Sequence, residues 1–221
     1  MKTAFEVGYP IWYFRAYNYL GVYEGDATHP DGSPKFEDFN GDGNPDDGDR
    51  TFVGSGIPDY TFGLTISAEW RGFDLNIYGA GTQGNKIFNL YYQADGPFRN
   101  SLRYFYDNAW TPENRNAKVP SCISVASEWT YWSSSGVVFD GSYFKIKQIQ
   151  LGYTLPANLL KKFFIKGIRV YVSADDFFCF TRNYPGCDPE TATTGNANAM
   201  GLDLGSYPTT TKLIGGINIR F

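Results

Sequence analysis

Oxygen-bearing side chains recur at regular intervals in one short acidic stretch of the chain. Counted from Asp38, side-chain oxygens fall at loop positions 1, 3, 5, 9 and 12, and Gly43 stands at position 6. This spacing matches a Ca²⁺-binding loop, in which the glycine permits a sharp turn and position 7 ligates through its carbonyl. The predicted metal ligands are Asp38, Asn40, Asp42, Asn44, Asp46 and Asp49.

The stretch departs from a helix-flanked Ca²⁺ sensor in two ways. Position 12 is Asp49 rather than glutamate, which shortens its reach, and no amphipathic helices flank the loop. Hard oxygen ligands favour Ca²⁺ over Zn²⁺. We therefore expect a bound Ca²⁺ to brace the structure rather than to open it. The alternative is an acidic loop of Asx turns that binds no ion.

The sequence predicts no catalytic constellation. His29 is the only histidine, and it adjoins the turn formed by Pro30-Asp31-Gly32, which favours a solvated loop residue over a triad member. Asp175 and Asp176 would point to opposite faces of a strand, so they cannot act as a paired acid and base. We therefore expect that the chain is not an enzyme.

Two further groups of residues leave alternatives open. Four aromatic residues could either stack on sugar rings or pack within loops. They are Trp129, Tyr131, Trp132 and Tyr143. Among the cysteines, Cys179 and Cys187 could pair in an oxidising compartment, or they could remain free thiols.

Composition narrows the class of protein. The 221 residues carry 19 basic and 23 acidic side chains, which argues against a nucleic-acid-binding face. Aromatic residues make up 18% of the chain, although hydrophobic residues make up only 42%. Aromatic girdles combined with polar lumen strands produce this balance, and so do carbohydrate-binding sandwiches. No apolar run is long enough for a transmembrane helix.

The sequence predicts six strands, and all but the first, which is aromatic-rich and alternates poorly, show alternation of apolar and polar residues. They lie at Tyr9 to Val22, Tyr60 to Trp70, Phe73 to Tyr78, Tyr143 to Leu155, Ile168 to Asp175 and Thr209 to Phe221. Arg71-Gly72 predicts a tight turn. The apolar parity shifts between Ile146 and Ile149, which predicts either a β-bulge or a departure of the strand from the membrane band. Short helices are predicted over Ser101 to Trp110 and Pro156 to Phe164.

The connections between these strands differ in length. Residues 23–59, 82–142 and 181–208 form long loops, whereas 71–72 and 156–166 are short. Long loops on one side and short turns on the other are typical of bacterial outer-membrane barrels. Six strands are too few for such a barrel, since the smallest have about eight. The predicted fold is therefore all-β, an antiparallel transmembrane β-barrel portion that belongs to a larger barrel.

Several short motifs, in family order along nearly the whole chain, resemble SusC/RagA-type TonB-dependent outer-membrane transporters. They are Val7-Gly8-Tyr9-Pro10, Asp38-Phe39-Asn40-Gly41-Asp42-Gly43, Asp49-Arg50-Thr51 with Gly54, Tyr60-Thr61-Phe62-Gly63-Leu64, Gly81-Thr82-Gln83-Gly84-Asn85, Tyr143-Phe144-Lys145-Ile146-Lys147, Leu151-Gly152-Tyr153-Thr154-Leu155-Pro156, Tyr184-Pro185-Gly186-Cys187-Asp188-Pro189 and Tyr207-Pro208 before the last strand. Asp175-Asp176 departs from the resemblance, because an amide-rich pair is expected there.

The resemblance implies that residues 1–221 are the carboxyl-terminal segment of a barrel of about 22 strands. It also implies that the signal peptide and plug domain have no counterpart here. The complete protein would import an oligosaccharide or peptide across the cell outer membrane. Its partners would be the membrane lipid, a SusD-like surface lipoprotein above the long loops, and the TonB complex, reached through the missing amino-terminal part.

Two other functions remain open at this stage. A soluble carbohydrate-binding β-sandwich braced by Ca²⁺ would explain the aromatic residues and the acidic loop. It would explain neither the asymmetry of loop lengths nor the terminal Phe221. A hydrolase is the third possibility.

Overall fold

The computed structural model describes residues 3–25, 28–90, 102–122, 130–160, 165–194 and 200–221. The strands are β1 Thr3–Ala4, β2 Tyr13–Tyr17, β3 Tyr19–Val22, β4 Pro34–Phe36, β5 Arg50–Gly54, β6 Tyr60–Trp70, β7 Phe73–Gln83, β8 Lys86–Asn89, β9 Val138–Asp140, β10 Tyr143–Thr154, β11 Gly167–Thr181, β12 Leu202–Asp203 and β13 Lys212–Arg220. The helices are α1 Arg103–Asn108, α2 Ala157–Leu160 and α3 Pro189–Thr194, with 3-10 turns at Asp47–Asp49, Tyr131–Ser133 and Ser135–Val137. Within these described ranges, no helix has the length and apolar character that a membrane crossing requires.

The chain divides into two compact units. The sheet unit comprises Asp59–Gln83, Ser142–Arg182 and Pro208–Phe221. The loop unit comprises Met1–Pro58, Gly84–Gly141 and Asn183–Tyr207. The loop unit therefore combines most of the segments that the sequence predicts as long connections with residues 1–22.

The sheet unit is one antiparallel meander in the order β6-β7-β10-β11-β13. Arg71 and Gly72 join β6 to β7 with φ angles of 48° and 88°, the left-handed pair that a two-residue hairpin turn requires. At the other end, Tyr60 pairs with Gln83 and Tyr143 pairs with both Thr82 and Thr181. The long connections therefore all leave the sheet at one end, and the short turns lie at the other, as predicted.

The register of the meander separates an apolar face from a polar face. Ile66, Ile77 and Ile149 stand side by side on neighbouring strands, and Val170 pairs with Ile217 farther along the same face. Leu64, Leu151, Val172 and Ile217 are each about half exposed or more. A sandwich would bury such a face against a second sheet, whereas here its aliphatic side chains remain open.

Aromatic side chains flank the aliphatic band of this outer face at both ends. Near the short turns, Phe73 pairs with Trp70 and lies 4.5 Å from Tyr153 between ring centroids. Near the long connections, the rings of Phe62 and Phe144 stack at 5.8 Å. Phe62 and Trp70 are separated by about 26 Å along the strand, at about 3.3 Å per residue. Two aromatic belts around an apolar band are typical of outer-membrane barrels.

The predicted bulge is confirmed. The register of β10 shifts between Ile146 and Gln148 against both of its neighbours, β7 and β11. The extra residue returns the apolar side chains of β10 to the outer face on both sides of the bulge.

The loop unit contains three small sheets. One has the order β1-β2-β5, another β3-β4, and the third β12-β8-β9, in which β12 and β8 are parallel. Their common core draws on residues that are far apart in the sequence. The fully buried members include Phe14, Phe88, Tyr131 and Val137. The long connections thus share a hydrophobic core.

One of the six predicted barrel strands is wrong. Tyr9 to Val22 forms β2 and β3 in the loop unit, and the other five predicted strands form the meander. The physical reason lies in the burial of β2: Phe14 and Ala16 are buried on one face, and Tyr13 and Tyr17 on the other. A strand with both faces buried does not have one lipid face and one wet face, which explains its poor alternation.

Both predicted short helices form within the described residues. The first spans Arg103–Asn108, and its predicted cap, Ser101, lies outside the described residues. The second spans Ala157–Leu160, and residues 161–164 of its predicted range likewise lie outside them.

Removal of a core ring should loosen the loop unit. Phe14 is fully buried and packs edge-on against Phe88, with 5.6 Å between ring centroids. Phe14→Ala should lower the free energy of local opening by about 3–5 kcal/mol, because it removes buried apolar area and leaves a cavity. Native-state hydrogen exchange of the amides in β2 and β8 measures this change. Phe52→Ala is the matched control, because Phe52 is 42% exposed; equal effects of the two variants would contradict the described core.

Candidate functional site

The acidic loop lies between β4 and β5 and folds back on itself through its own polar side chains. Gly41 and Gly43 take φ angles of 79° and 83°, which side chains with a Cβ rarely adopt. Asp38 holds the turn by accepting hydrogen bonds from both backbone N–H groups, at 2.6 Å from Gly41 and 2.9 Å from Gly43. The glycine at loop position 6 therefore makes the sharp turn that its spacing predicts.

Three of the predicted ligands converge. Asp38, Asp42 and Asp49 each place a carboxylate oxygen within 4.8 Å of the others. Oxygen ligands lie about 2.3–2.6 Å from Ca²⁺, so two ligands on opposite sides of an ion are about 5 Å apart. One ion can therefore contact all three carboxylates, and the donor set of hard anionic oxygens suits Ca²⁺.

The other predicted ligands surround this cluster through hydrogen bonds. The Asn40 amide donates to Asp42 at 3.1 Å and to Asp46 at 3.5 Å. The Asn44 backbone N–H donates to Asp42 at 2.8 Å. Asp46 caps the following 3-10 turn by accepting from the Gly48 N–H at 2.6 Å. The structure thus brings Asn40 between two carboxylates and gives Asp46 a capping role.

Asp49 is the buried member of the cluster. It is fully inaccessible and accepts hydrogen bonds from the backbone N–H groups of Asp46 at 3.0 Å and Phe39 at 2.8 Å. These bonds, led by that from Asp46, lower the pKa of its carboxyl below the ordinary value. Such a depressed pKa stabilises the folded loop above the ordinary carboxyl pKa, and the stabilisation is lost as pH falls through the depressed value.

Asp47 attaches the acidic loop to the β2–β5 ladder. Its carboxylate lies 3.1 Å from Nη1 of Arg15 and 3.0 Å from Nη1 of Arg50. The hydrogen bond from Arg15, followed by the charges of both arginines, lowers the pKa of Asp47. Nothing in the spacing of the sequence signals this contact, because Arg15 and Asp47 are 32 positions apart.

The polar face of the sheet unit carries its own network. Arg169 on β11 donates from Nε to Asp74 on β7 at 2.9 Å and from Nη2 to both Asp74 and Gln150. The pair crosses β10 directly over Gly152, where an added Cβ would meet Asp74 and Arg169. Gly152 therefore provides the space that this ion pair occupies. On the same face, Lys145 Nζ donates to Thr209 at 2.7 Å.

Other residues singled out from the sequence have structural roles. Tyr131 and Trp132 are buried in the core, which supports packing over sugar stacking for these two, whereas Trp129 lies outside the described residues. His29 stacks on Tyr23, with 4.0 Å between ring centroids. Cys122, Cys179 and Cys187 are exposed, and the structure joins none of these three in a disulfide.

Asp176, which the sequence places at the upper end of a strand, lies within β11. It has a left-handed φ of 56° beside the bulge. Its carboxylate lies 3.2 Å from the ammonium group of Lys147, the extra residue of β10. The bulge thus carries an ion pair that strand patterning does not reveal.

A single-layered meander with a belted apolar face, a networked polar face and long connections at one end defines a segment of a transmembrane β-barrel wall. Comparison with known proteins agrees with this class. No family model matches the chain. It is 32% identical over 230 positions to TonB-dependent receptor P3 of Formosa agariphila, covering 97% of this chain and 22% of the relative. It is 26% identical to TonB-dependent receptor SusC of Bacteroides thetaiotaomicron, covering 99% of this chain and 20% of the relative.

Solved structures share the fold. The RagAB peptide transporter matches with a TM-score of 0.77 at 23% identity, over 99% of this chain and 23% of that chain. The RagAB peptide importer in its open-open state matches with a TM-score of 0.75 at 24% identity, over 100% of this chain and 23% of that chain.

The resemblance seen in the sequence is thereby confirmed. The chain is similar to TonB-dependent receptors along nearly its whole length, and its fold matches part of the RagAB transporter chain. It spans about a fifth of the length of the curated relatives that it matches. The soluble sandwich that the sequence left open does not fit this fold.

Filling the space above Gly152 should break the Asp74–Arg169 contact. Gly152→Val should lower the stability of the protein in detergent by about 1–3 kcal/mol, because the added side chain overpacks the site. Thermal unfolding measures the loss. Gly215→Val is the matched control, since an added Cβ at Gly215 meets nothing within 4 Å. In an Asp74→Ala background the cost of Gly152→Val should shrink; an unchanged cost would contradict the role assigned to Gly152.

Proposed function

We propose that this chain forms the carboxyl-terminal wall of the barrel of a TonB-dependent nutrient importer in the cell outer membrane. One observation carries the proposal: the aliphatic outer face of the meander lies between two aromatic belts. Strands of 9 to 15 residues have the length that a tilted transmembrane strand needs, about 9–11 residues. The chain would help to bind the solute and to form the wall of its passage, and it would not catalyse a reaction.

The two faces of the sheet would have different roles in transport. The outer face would contact lipid, whereas the polar face, with Asp74, Arg169 and Lys145, would line the lumen. The loop unit would lie on the extracellular side, because bacterial barrels place their long connections there and their short turns in the periplasm. A SusD-like surface lipoprotein would cover these connections as a lid.

The imported solute would be an oligosaccharide or a peptide. Solved structures described as a RagAB peptide importer support the peptide alternative, and the oligosaccharide alternative rests on the resemblance to SusC-type transporters. Energy for import would come from the TonB complex, which would act through the amino-terminal part of the receptor.

Ca²⁺ would brace the acidic loop. Its ligands would come from Asp38, Asp42 and Asp49, whose oxygens already converge, with Asn40, Asn44 and Asp46 completing the oxygen-rich shell. The ion would offset two of the three negative charges of these carboxylates, which otherwise repel one another. Since Asp47 ties the same loop to Arg15 and Arg50, the brace would stiffen the attachment of the loop to the β2–β5 ladder.

The lipid-facing assignment can be tested at two adjacent residues of β6. Ile66 lies in the middle of the aliphatic band, and Thr65 points to the opposite face. Ile66→Lys should destabilise the barrel by about 2–4 kcal/mol, the cost of a cation at the bilayer midplane. Thr65→Lys should assemble like the parent receptor, because its charge stays in water.

The measurement is the heat-modifiable folded fraction of the receptor in outer-membrane preparations. Equal folded fractions for Ile66→Lys and Thr65→Lys would contradict the assignment of the two faces. A folded receptor recovered only in the soluble fraction would overturn the proposed location.

The Ca²⁺ proposal predicts ion-dependent protection of the loop. In the purified receptor, limited proteolysis within residues 37–50 should accelerate when a chelator removes Ca²⁺ and slow again when Ca²⁺ returns. Asp42→Asn should weaken Ca²⁺ binding in calorimetry by about tenfold or more, because it removes one anionic ligand. Asp107→Asn is the control, since its exposed ion pair with Arg103 lies on α1. If Ca²⁺ changes neither the rate of cleavage nor the heat measured by calorimetry, then Asx turns alone hold the loop.

A further inference from the structure

A cleft of about 460 Å³ opens beside the acidic loop, on the side where Asp47 meets the β2–β5 ladder. Two arginines, Arg15 and Arg50, reach it from neighbouring strands, and Phe5 and Trp12 line it beside them. The predicted metal ligands take no part in its lining. The transport proposal does not use this cleft.

The two guanidinium groups converge on a single carboxylate. Arg15 donates from Nη1 to the Asp47 carboxylate at 3.1 Å and from Nη2 to its backbone carbonyl at 2.9 Å. Arg50 approaches the other carboxylate oxygen at 3.0 Å and donates from Nη2 to the Tyr17 hydroxyl at 3.3 Å. Two cations thus share one anion, which leaves an excess positive charge at the cleft.

Unused hydrogen-bonding capacity remains at this point. Each guanidinium group carries several N–H donors in a planar fork. Arg15 and Arg50 each use two of these donors in the contacts above. Asp47 has a side chain that is 73% exposed, so water competes for its carboxylate. A second carboxylate can therefore share this pair of arginines.

The aromatic wall gives the cleft an apolar side. The rings of Phe5 and Trp12 lie 6.4 Å apart at 45°, and Phe5 is 73% exposed. Trp12 has a left-handed φ of 56° in the turn before β2, a conformation that is uncommon for a bulky residue. An apolar face beside a cationic fork suits a solute that carries both a carboxylate and a ring or an alkyl chain.

We infer that the Arg15–Arg50 cleft binds the carboxylate group of a small solute, with the attached ring or alkyl chain against Phe5 and Trp12. A planar arginine fork matches a carboxylate better than it matches a neutral hydroxyl or amide. Acidic sugars and acidic peptides both present this group. Binding at this cleft is separate from passage through the barrel, so it can be tested whether or not transport occurs.

The test is calorimetric titration of the purified receptor in detergent with matched acidic and neutral probes. The pairs are glucuronate against glucose and the blocked dipeptide N-acetyl-Ala-Glu-amide against N-acetyl-Ala-Gln-amide, in which the glutamate side chain supplies the carboxylate. The acidic member of at least one pair should bind about tenfold or more tightly than its neutral partner, and binding should weaken with added salt. The pair that shows the difference identifies the source of the carboxylate. Equal affinity within both pairs, or no binding of any probe, would overturn the inference.

Variants separate a binding role from a structural one. Arg15→Gln should weaken binding of the acidic probe about tenfold or more. Arg15→Lys should retain part of the affinity, because lysine keeps the positive charge but lacks the planar fork of donors. Arg103→Gln is the matched control, because its 90% exposed side chain pairs with Asp107 on α1. Asp47→Asn should tighten binding of the acidic probe, because it removes the internal competitor. Weakened binding in Asp47→Asn, or unchanged binding in Arg15→Gln, would contradict the site.

Discussion

Antiparallel pairing of the five-stranded meander is the constraint on which the rest of the structure depends. A backbone in hydrocarbon must satisfy its N–H and C=O groups internally, and a continuous ladder does so. Because successive side chains alternate, a single register assigns every residue of β6, β7, β10, β11 and β13 to lipid or to water. The bulge at Ile146 and Gln148 lets β10 keep that assignment over its full length. At the outer edges of the meander, β6 and β13 have no further partner among the described residues, as expected of a wall continued by other strands.

The same register makes room for the contacts of the polar face. The Asp74–Arg169 pair spans three strands because the intervening residue is Gly152. Buried or half-buried charges are costly unless they are paired, so the pair lets the wet face carry charge without leaving either group isolated. The polarity of this face thus depends on the missing side chain at Gly152 as well as on the side chains of Asp74 and Arg169.

The turn at Asp46 to Asp49 links the proposed metal site and the arginine cleft. Asp46 and Asp49 form a reciprocal capping box, Asp49 points into the carboxylate cluster, and Asp47 points to the two arginines. Three carboxylates within four consecutive residues therefore lie in three different environments: the capping box, the arginine pair and the carboxylate cluster. An ion that orders this turn would also fix the position of Asp47. Ca²⁺ binding to the loop would therefore be coupled to the electrostatic potential of the cleft.

The sequence by itself determined the local features of this protein. Alternation predicted five strands of the meander, the parity shift predicted the bulge, and acidic spacing predicted a loop in which Asp38, Asp42 and Asp49 converge. These features depend on residues that are close together in the chain. Only the tertiary structure decided that Tyr9 to Val22 joins the loop unit, that Asp74 meets Arg169, and that Arg15 meets Asp47. Such contacts join residues that are tens of positions apart in the sequence. They are selected by packing around a shared core or across a ladder of strands. The local periodicity of the sequence does not encode this packing.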